Sequence, residues 1–424
     1  MKRQKRSSLV LVALVCSGLL AGSLRLDAAQ GAGPAFQIFG DSLEQNYMDV
    51  AFNPATASYL VVWATAQDSY TQDLWARPVL LDGALLPAFN ISSDSGSLMN
   101  KLAVATDTTR GYFLIVAVDD NGSGNWIVAR TVNWNGSDLG TTTYIYTGSF
   151  WDYGAGPAAV YNPQTDEYLL VYEDTSHTSC SYTQVMAARL DPDSLLPGTP
   201  VAVGGCDTSQ YSIYGRVAYQ PGSNRYQVIY DEIDLSDYSD HLMTRSLSAD
   251  LSDIGPEVEI ASDARYSSDM SITSGAGGFL VTYVGEDDNG LIQVFGQFID
   301  PNGNLVGSLI PITHEQVNQY GWYIPRASFL GALGYTATWS FLLSTTPPDS
   351  FDSYYRFVPN RPEPPHTAQM VLANGASHEG NPVVACVPDM QCLLVYLSDQ
   401  GGDYDIYGRQ IFITRQVLPL TIKR

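Results

Sequence analysis

Carboxylates and aromatic rings are the residues of this chain best equipped for chemistry, and both recur in a pattern. Acidic side chains cluster at Asp119-Asp120, Glu173-Asp174, Asp231-Glu232, Glu286-Asp287-Asp288, and at Asp399 with Asp403. Asp119-Asp-Asn-Gly122 and Asp287-Asp-Asn-Gly290 gather oxygens of the kind calcium takes. Asp119, Asp120, Asp287 and Asp288 are therefore candidate calcium ligands. Neither run has the aspartate ladder and closing glutamate of a dedicated calcium loop, and Asn-Gly is equally a favoured hairpin turn. Tyr47, Tyr153, Tyr211, Tyr214, Tyr266, Tyr320, Trp322 and Tyr323 form a second set. Flat aromatic faces with hydrogen-bonding tips suit sugar rings or peptide segments, and they also serve as wedges between packed units. Asp49 and Asp269 each stand ten residues ahead of a recurring apolar run. Two such carboxylates facing each other could act as acid and base on a glycosidic bond. The five histidines have no serine-elbow or paired metal-ligand context.

The elements that must position these groups repeat. From Asp49 to Ser93 the chain reads as four short apolar or alternating runs separated by turn-rich segments, the signal for four antiparallel strands. The second run, Tyr59-Leu-Val-Val-Trp63, recurs from Tyr112, Tyr168, Tyr226, Phe279, Tyr335 and Cys392, at intervals of 53 to 58 residues. Seven copies of a four-stranded unit predict an all-β, seven-bladed β-propeller. Pro34-Ala-Phe-Gln-Ile-Phe-Gly-Asp-Ser42 matches the fourth strand of copy one, Pro87 to Ser95, yet precedes any first strand. Copy seven supplies three strands and stops. The N-terminal strand is thus expected to complete the last blade and close the ring, leaving no free edge there. In this topology the acids and the aromatic loops fall on one face, around the mouth of the central channel.

The address is also legible. Lys2, Arg3, Lys5 and Arg6 precede the apolar run Leu9 to Gly22, so residues 1–29 read as an export signal peptide. Residues 30–415 form the propeller and 416–424 a tail too short to span a membrane. Outside the cytoplasm disulfides persist. Cys386 and Cys392 end facing strands and should pair; Cys180 and Cys206 lie in loops of one face and form the second expected bridge. A formal charge of −23 makes nucleic acid and anionic membranes poor partners.

A third-strand signature accompanies the repeat: Leu74-Trp-Ala-Arg77, Ile127-Val-Ala-Arg130, Met186-Ala-Ala-Arg189, Leu242-Met-Thr-Arg245 and Ile406-Tyr-Gly-Arg409. The recurrence of Arg77, Arg130, Arg189, Arg245 and Arg409 at one blade position points to packing rather than to a ligand. Copy six departs, with Tyr354-Tyr-Arg356. Together with the Val-Val-Trp strand, the signature resembles the repeat of secreted bacterial surface and adhesin-like propeller proteins, across about residues 34 to 413. The resemblance implies the fold, a bacterial source and a secreted or cell-surface location. It carries no catalytic signature. The expectation is a monomeric, non-catalytic binding module without a cofactor, calcium being the possible exception, whose partner is an extracellular glycan or protein. Two alternatives stand beside it. One is a glycoside hydrolase or polysaccharide lyase using Asp49 and Asp269; the other is a structural surface protein.

Overall fold

A computed structural model describes residues 28–415, apart from 68–70, 93–97, 121–124, 149–155, 176–181, 263–269, 288, 314–323, 343–350, 366, 374–376 and 401. Seven antiparallel blades form a ring, and a 3-10 turn at Gly331–Leu333 is the one helical element described. Blade 1 sets the pattern, with an inner strand Gln45–Asn53, then Ser58–Ala66, Gln72–Leu80 and a short outer strand Phe89–Asn90. A parallel bridge from Gln72 to Leu98 links its sheet to that of blade 2. Inner strands of successive blades touch all the way round, and blade 7 returns to blade 1.

The second strands explain why the repeat is so apolar. Tyr59 through Ala64 are all buried. Tyr59, Val61 and Trp63 pack with blade 7, whereas Leu60, Val62 and Ala64 pack with Phe113, Ile115 and Ala117 of blade 2. A strand alternates its side chains between two faces, and here each face meets a neighbouring blade, so both must be hydrophobic. Each large side chain buried this way contributes about 1.5–3 kcal/mol. The same division runs through blade 3, where Tyr168, Leu170 and Tyr172 turn to blade 2 and Leu169 and Val171 to blade 4. In blade 2 the residue equivalent to Tyr59 is Phe113, not Tyr112. Phe52 faces Tyr59 and Thr106 faces Phe113, and Phe113 is fully buried while the Tyr112 hydroxyl donates to Asp138.

The ring closes as expected. Phe36–Phe39 pairs antiparallel with the third strand of blade 7, Asp405–Arg415, through Phe36 to Gly408 and Phe39 to Ile406. A further strand, Ala28–Ala32, pairs with Ile411 to Arg415 along the same edge. It begins two residues inside the segment read as the export signal.

The recurring arginines fasten one blade to the next. Arg77 donates from Nε to the Leu86 carbonyl of its own blade (2.7 Å) and from Nη1 to the Ile38 carbonyl of the N-terminal strand (2.6 Å). Arg130 bridges Gly140 and Ile91, Arg245 bridges Gly255 and Val203, and Arg409 bridges Gly33 and Leu372. Arg356, despite its divergent neighbours, does the same with Thr367 and Ile312. Arg189 instead meets Glu167 at 3.3 Å. In blade 5 Gln297 replaces the arginine and bonds carbonyls of its own blade, Phe298 and Val306. Cys386 and Cys392 are disulfide-bonded across the hairpin of blade 7. Cys206 is also in a disulfide; its expected partner Cys180 lies outside the described residues.

Arg77→Ala removes two charge-assisted bonds and leaves two half-buried carbonyls without their donor. It should destabilise the protein by about 2–4 kcal/mol in urea unfolding, because a buried acceptor deprived of its partner bears the full cost of desolvation. Arg189→Ala, which holds a partly exposed ion pair, should cost no more than about 1 kcal/mol. Equal effects of the two changes would refute the fastening role.

Candidate functional site

The mouth of the channel is built by an irregularity shared among blades. The register of the inner strand slips between Asn46 and Asp49, Asn100 and Ala103, Ile213 and Arg216, and Gly380 and Val383. Inside each slip one residue takes a left-handed backbone: Tyr47 (φ 41°), Lys101 (50°), Tyr214 (60°) and Asn381 (52°). Blade 3 places Gly156 (79°) there, where a Cβ would lie 2.5 Å from that of Lys101. Such bulges re-aim a side chain, and a bulky residue held in this conformation is strained. The bulge explains why Tyr47 and Tyr214 share one offset in the repeat. Tyr47 is 44% exposed at the rim. Tyr214 is half-buried against the core between blades 4 and 5, and its backbone N–H donates to Glu173 Oε1 at 2.8 Å. Burial, then the charges of Glu173 and Asp231, push its hydroxyl up to about 12.

Tyr211, three residues earlier on the inner strand Gln210–Gln220 of blade 4, stacks on Tyr182 with ring centroids 5.0 Å apart and planes 22° from parallel. Tyr238, 75% exposed, crowns the neighbouring loop with φ 58°. Burial and the charges of Asp231 and Asp240 raise the Tyr211 hydroxyl, and the neighbouring phenol groups of Tyr182 and Tyr238 add to this electrostatically. Aromatics and acids therefore share one patch over blades 3 and 4. Tyr182 and Tyr238 were not among the sequence candidates. They lie in loops between second and third strands, and their signal was a tyrosine 14 and 12 residues past Tyr168 and Tyr226. Beside the patch, His241 bonds Glu259 at 3.0 Å and Ser239 at 2.9 Å.

Asp49 stands on the inner strand of blade 1, opposite Val62. Its Oδ1 accepts from the Val50 N–H and its Oδ2 from the Val104 N–H of blade 2, both at 2.9 Å. Burial raises its pKa against the opposing pull of those bonds and of the Arg326 and Arg216 charges. The blade 5 residue in the register of Asp49 is Ser271, opposite Thr282, and not Asp269. The Gly275–Gly278 hairpin is two residues shorter than that of blade 1, so counting from the anchor overshoots.

Asp119 is buried at the end of its strand, whereas the Asp287 carboxylate caps its own turn, accepting from Asn289 and Leu291 N–H groups at 2.9 and 3.0 Å. These backbone bonds hold Asp287 below its ordinary pKa. Among the described residues no group of three or more histidine, cysteine or acidic side chains could hold a metal ion. Tyr153, Tyr266, Asp269, Asp288, Tyr320, Trp322 and Tyr323 lie outside the described residues, as does the side chain of Asp120. Among the described residues no helix is long and apolar enough to cross a membrane.

No family model and no curated protein matches the chain. Solved structures match its fold. A protein of unknown function from Dyadobacter fermentans is 10% identical with a TM-score of 0.53, covering 91% of this chain and 99% of its own. An α-L-arabinofuranosidase from Fusarium graminearum is 10% identical at 0.49, covering 91% and 98%. The propeller domain of the trilobed protease from Pyrococcus furiosus is 9% identical at 0.48, covering 85% and 94%. The likeness to the Dyadobacter protein is one of fold alone.

The hydrogen bond to Glu259 lifts His241 above its ordinary pKa of 6.5. A raised folded pKa contributes stability that is complete below the unfolded value and is lost as pH rises through the folded one. The His241 ring should therefore titrate above 6.5 by NMR, and Glu259→Gln should bring the midpoint back down. An unmoved midpoint in the variant would show that Glu259 is not the cause.

Proposed function

We propose that the chain is an exported, non-catalytic binding module that holds a glycan on the tyrosine and carboxylate patch over blades 3 and 4. The stacked Tyr182–Tyr211 pair beside the exposed Tyr238 carries this reading. The outer face of such a stack is flat and apolar and suits the C–H face of a sugar, and carboxylates such as Asp240 accept from its hydroxyls. Export is supported by the N-terminal signal-like segment and by the Cys386–Cys392 bridge, since such bonds persist in oxidising compartments. The adhesin-like repeat resemblance agrees with a surface role.

A catalytic reading has one observation in its favour, the raised pKa of Asp49. Against it, both oxygens of that carboxylate are engaged by backbone N–H groups.

A glycan array probed with the exported protein should show binding that Tyr211→Ala combined with Tyr238→Ala weakens tenfold or more, about the loss expected of central aromatic anchors. Tyr112→Phe, whose hydroxyl bonds Asp138 at the hairpin end of blade 2, should leave binding unchanged. Retained binding in the double variant would remove the patch from consideration, and capture of a surface protein alone would replace the glycan. Wild-type protein that releases reducing sugar, and loses that activity with Asp49→Asn, would make the chain an enzyme.

A further inference from the structure

Where the strands of blade 7 end towards the mouth, three side chains form a row. Glu379 of the inner strand stands opposite Ser398 of the second, and Ser398 stands opposite Asp405 of the third. Directly paired residues point to one side of a sheet, so two carboxylates flank one hydroxyl. Arg409, on the same side of the third strand, reaches the Leu372 carbonyl of blade 6, so the row faces that blade. All three side chains are buried, with Glu379 2%, Ser398 0% and Asp405 7% exposed.

Blade 1 has the same row as Gln45, Thr65 and Asp73, and there the hydroxyl and the carboxylate are both served. Thr65 Oγ1 accepts from the Trp63 indole at 3.0 Å. Asp73 Oδ1 accepts from Ser92 Oγ at 3.3 Å, and Oδ2 from Asn90 Nδ2 at 3.4 Å. Blade 7 keeps only the last of these bonds. Gln37, the counterpart of Asn90, donates from Nε2 to Asp405 Oδ2 at 2.8 Å. Phe39 stands in the place of Ser92 and Tyr396 in that of Trp63, and neither supplies the missing donor. Ser398 Oγ and Asp405 Oδ1 are therefore buried with no hydrogen-bond partner among the described residues. Glu379 also puts an acid where blade 1 has an amide; its Oε1 accepts from Gln400 Nε2 at 3.0 Å. Relative to blade 1, the row has lost two donors and gained a negative charge.

The surroundings deepen that deficit. Burial raises the Asp405 pKa, the Gln37 bond pulls it back, and the like charges of Asp41 and Asp403 raise it again. The closing strand wraps the group so tightly that a Cβ on Gly40 would stand 2.6 Å from its carboxyl carbon. Buried oxygens without a donor are costly, and hard cations take oxygens of this kind.

We propose that this row binds one calcium ion, ligated by Ser398 Oγ, Asp405 Oδ1 and the Glu379 carboxylate, with water in the remaining positions. Two carboxylates balance its double charge, and a hydroxyl serves where no described cluster offers three acids. Strands about 4.8 Å apart fix the spacing of the three groups. That frame suits the flexible coordination of calcium, with bonds of about 2.3–2.6 Å, better than the strict octahedron of magnesium. The ion fastens three strands of blade 7 together, and through Gln37 it holds the closing strand as well. The site lies apart from the tyrosine patch and is independent of the glycan reading.

Thermal unfolding of the full exported chain, stripped with a chelator and then titrated with calcium chloride, tests the site. Calcium should raise Tm by several degrees, as a ligand of the native state does. Sodium at matched ionic strength should not, and magnesium should need at least tenfold higher concentration. Ser398→Ala and Asp405→Asn should each weaken calcium binding tenfold or more by calorimetry. Glu379→Gln recreates the amide of blade 1. It should raise the Tm of the calcium-free protein and abolish the calcium response, a gain that a folding defect cannot produce. An equal rise with sodium would reduce the effect to screening and overturn the site. A calcium response undiminished by Glu379→Gln would overturn it too, as would one lost with Asp287→Asn, which places the ion at the blade 5 turn. So would the absence of any response to calcium in the unmodified chain.

Discussion

A guanidinium that reaches from the third strand of one blade to an outer-strand carbonyl of the blade before it is the contact on which the ring depends. Blades pack through side chains, and apolar faces alone tolerate sliding and splaying. A charge-assisted bond to a fixed carbonyl does not, because its energy falls steeply with distance and angle. Five blades use it, through Arg77, Arg130, Arg245, Arg356 and Arg409. Two of these hold the N-terminal segment, Arg77 at Ile38 and Arg409 at Gly33. The strand that closes the ring is thus tied from blade 1 and from blade 7 as well as being paired by its backbone.

With blades held at fixed spacing, the inner strands become seven parallel rails around a channel, each with one hydrogen-bonding edge turned inward. Such edges need capping. Asp49 caps the Val104 N–H of the next blade, Arg326 caps the Met270 carbonyl, and Ser328 Oγ accepts from the Cys386 N–H. The polar residues of the channel therefore have a structural role whatever ligand they meet. The left-handed bulges one step nearer the mouth have a different consequence. They turn both tyrosines out of the regular alternation, Tyr47 towards the rim and Tyr214 against the core between blades 4 and 5, at a conformational cost that the surrounding packing sustains.

The acidity of the chain has a partly mundane origin in the same architecture. Every blade needs several tight turns, and aspartate is suited to them because its carboxylate accepts N–H groups two or three residues on. Asp191, Asp207, Asp234 and Asp287 all do this, and those bonds hold their pKa values down. Asp250, bonded by Ser248 and Ser252, is held down to about 2. These carboxylates are turn chemistry first, and the charge they add follows from that use.

The repeat, the number of blades and the closing strand were legible in the chain, because a second strand packed on both faces must be apolar throughout and so writes its period directly into the sequence. The role of the arginines was legible for the same reason: a residue recurring at one blade position serves the repeat. What the sequence could not fix was register. The anchor of blade 2 is Phe113 rather than Tyr112, and the partner of Asp49 in blade 5 is Ser271 rather than Asp269, since hairpins of unequal length shift every count made along the chain. Nor could it show that Tyr182 and Tyr238, from two different loops, meet Tyr211 over one patch. Those neighbours lie between 27 and 56 residues apart in sequence, and only the curvature of the closed ring brings them together.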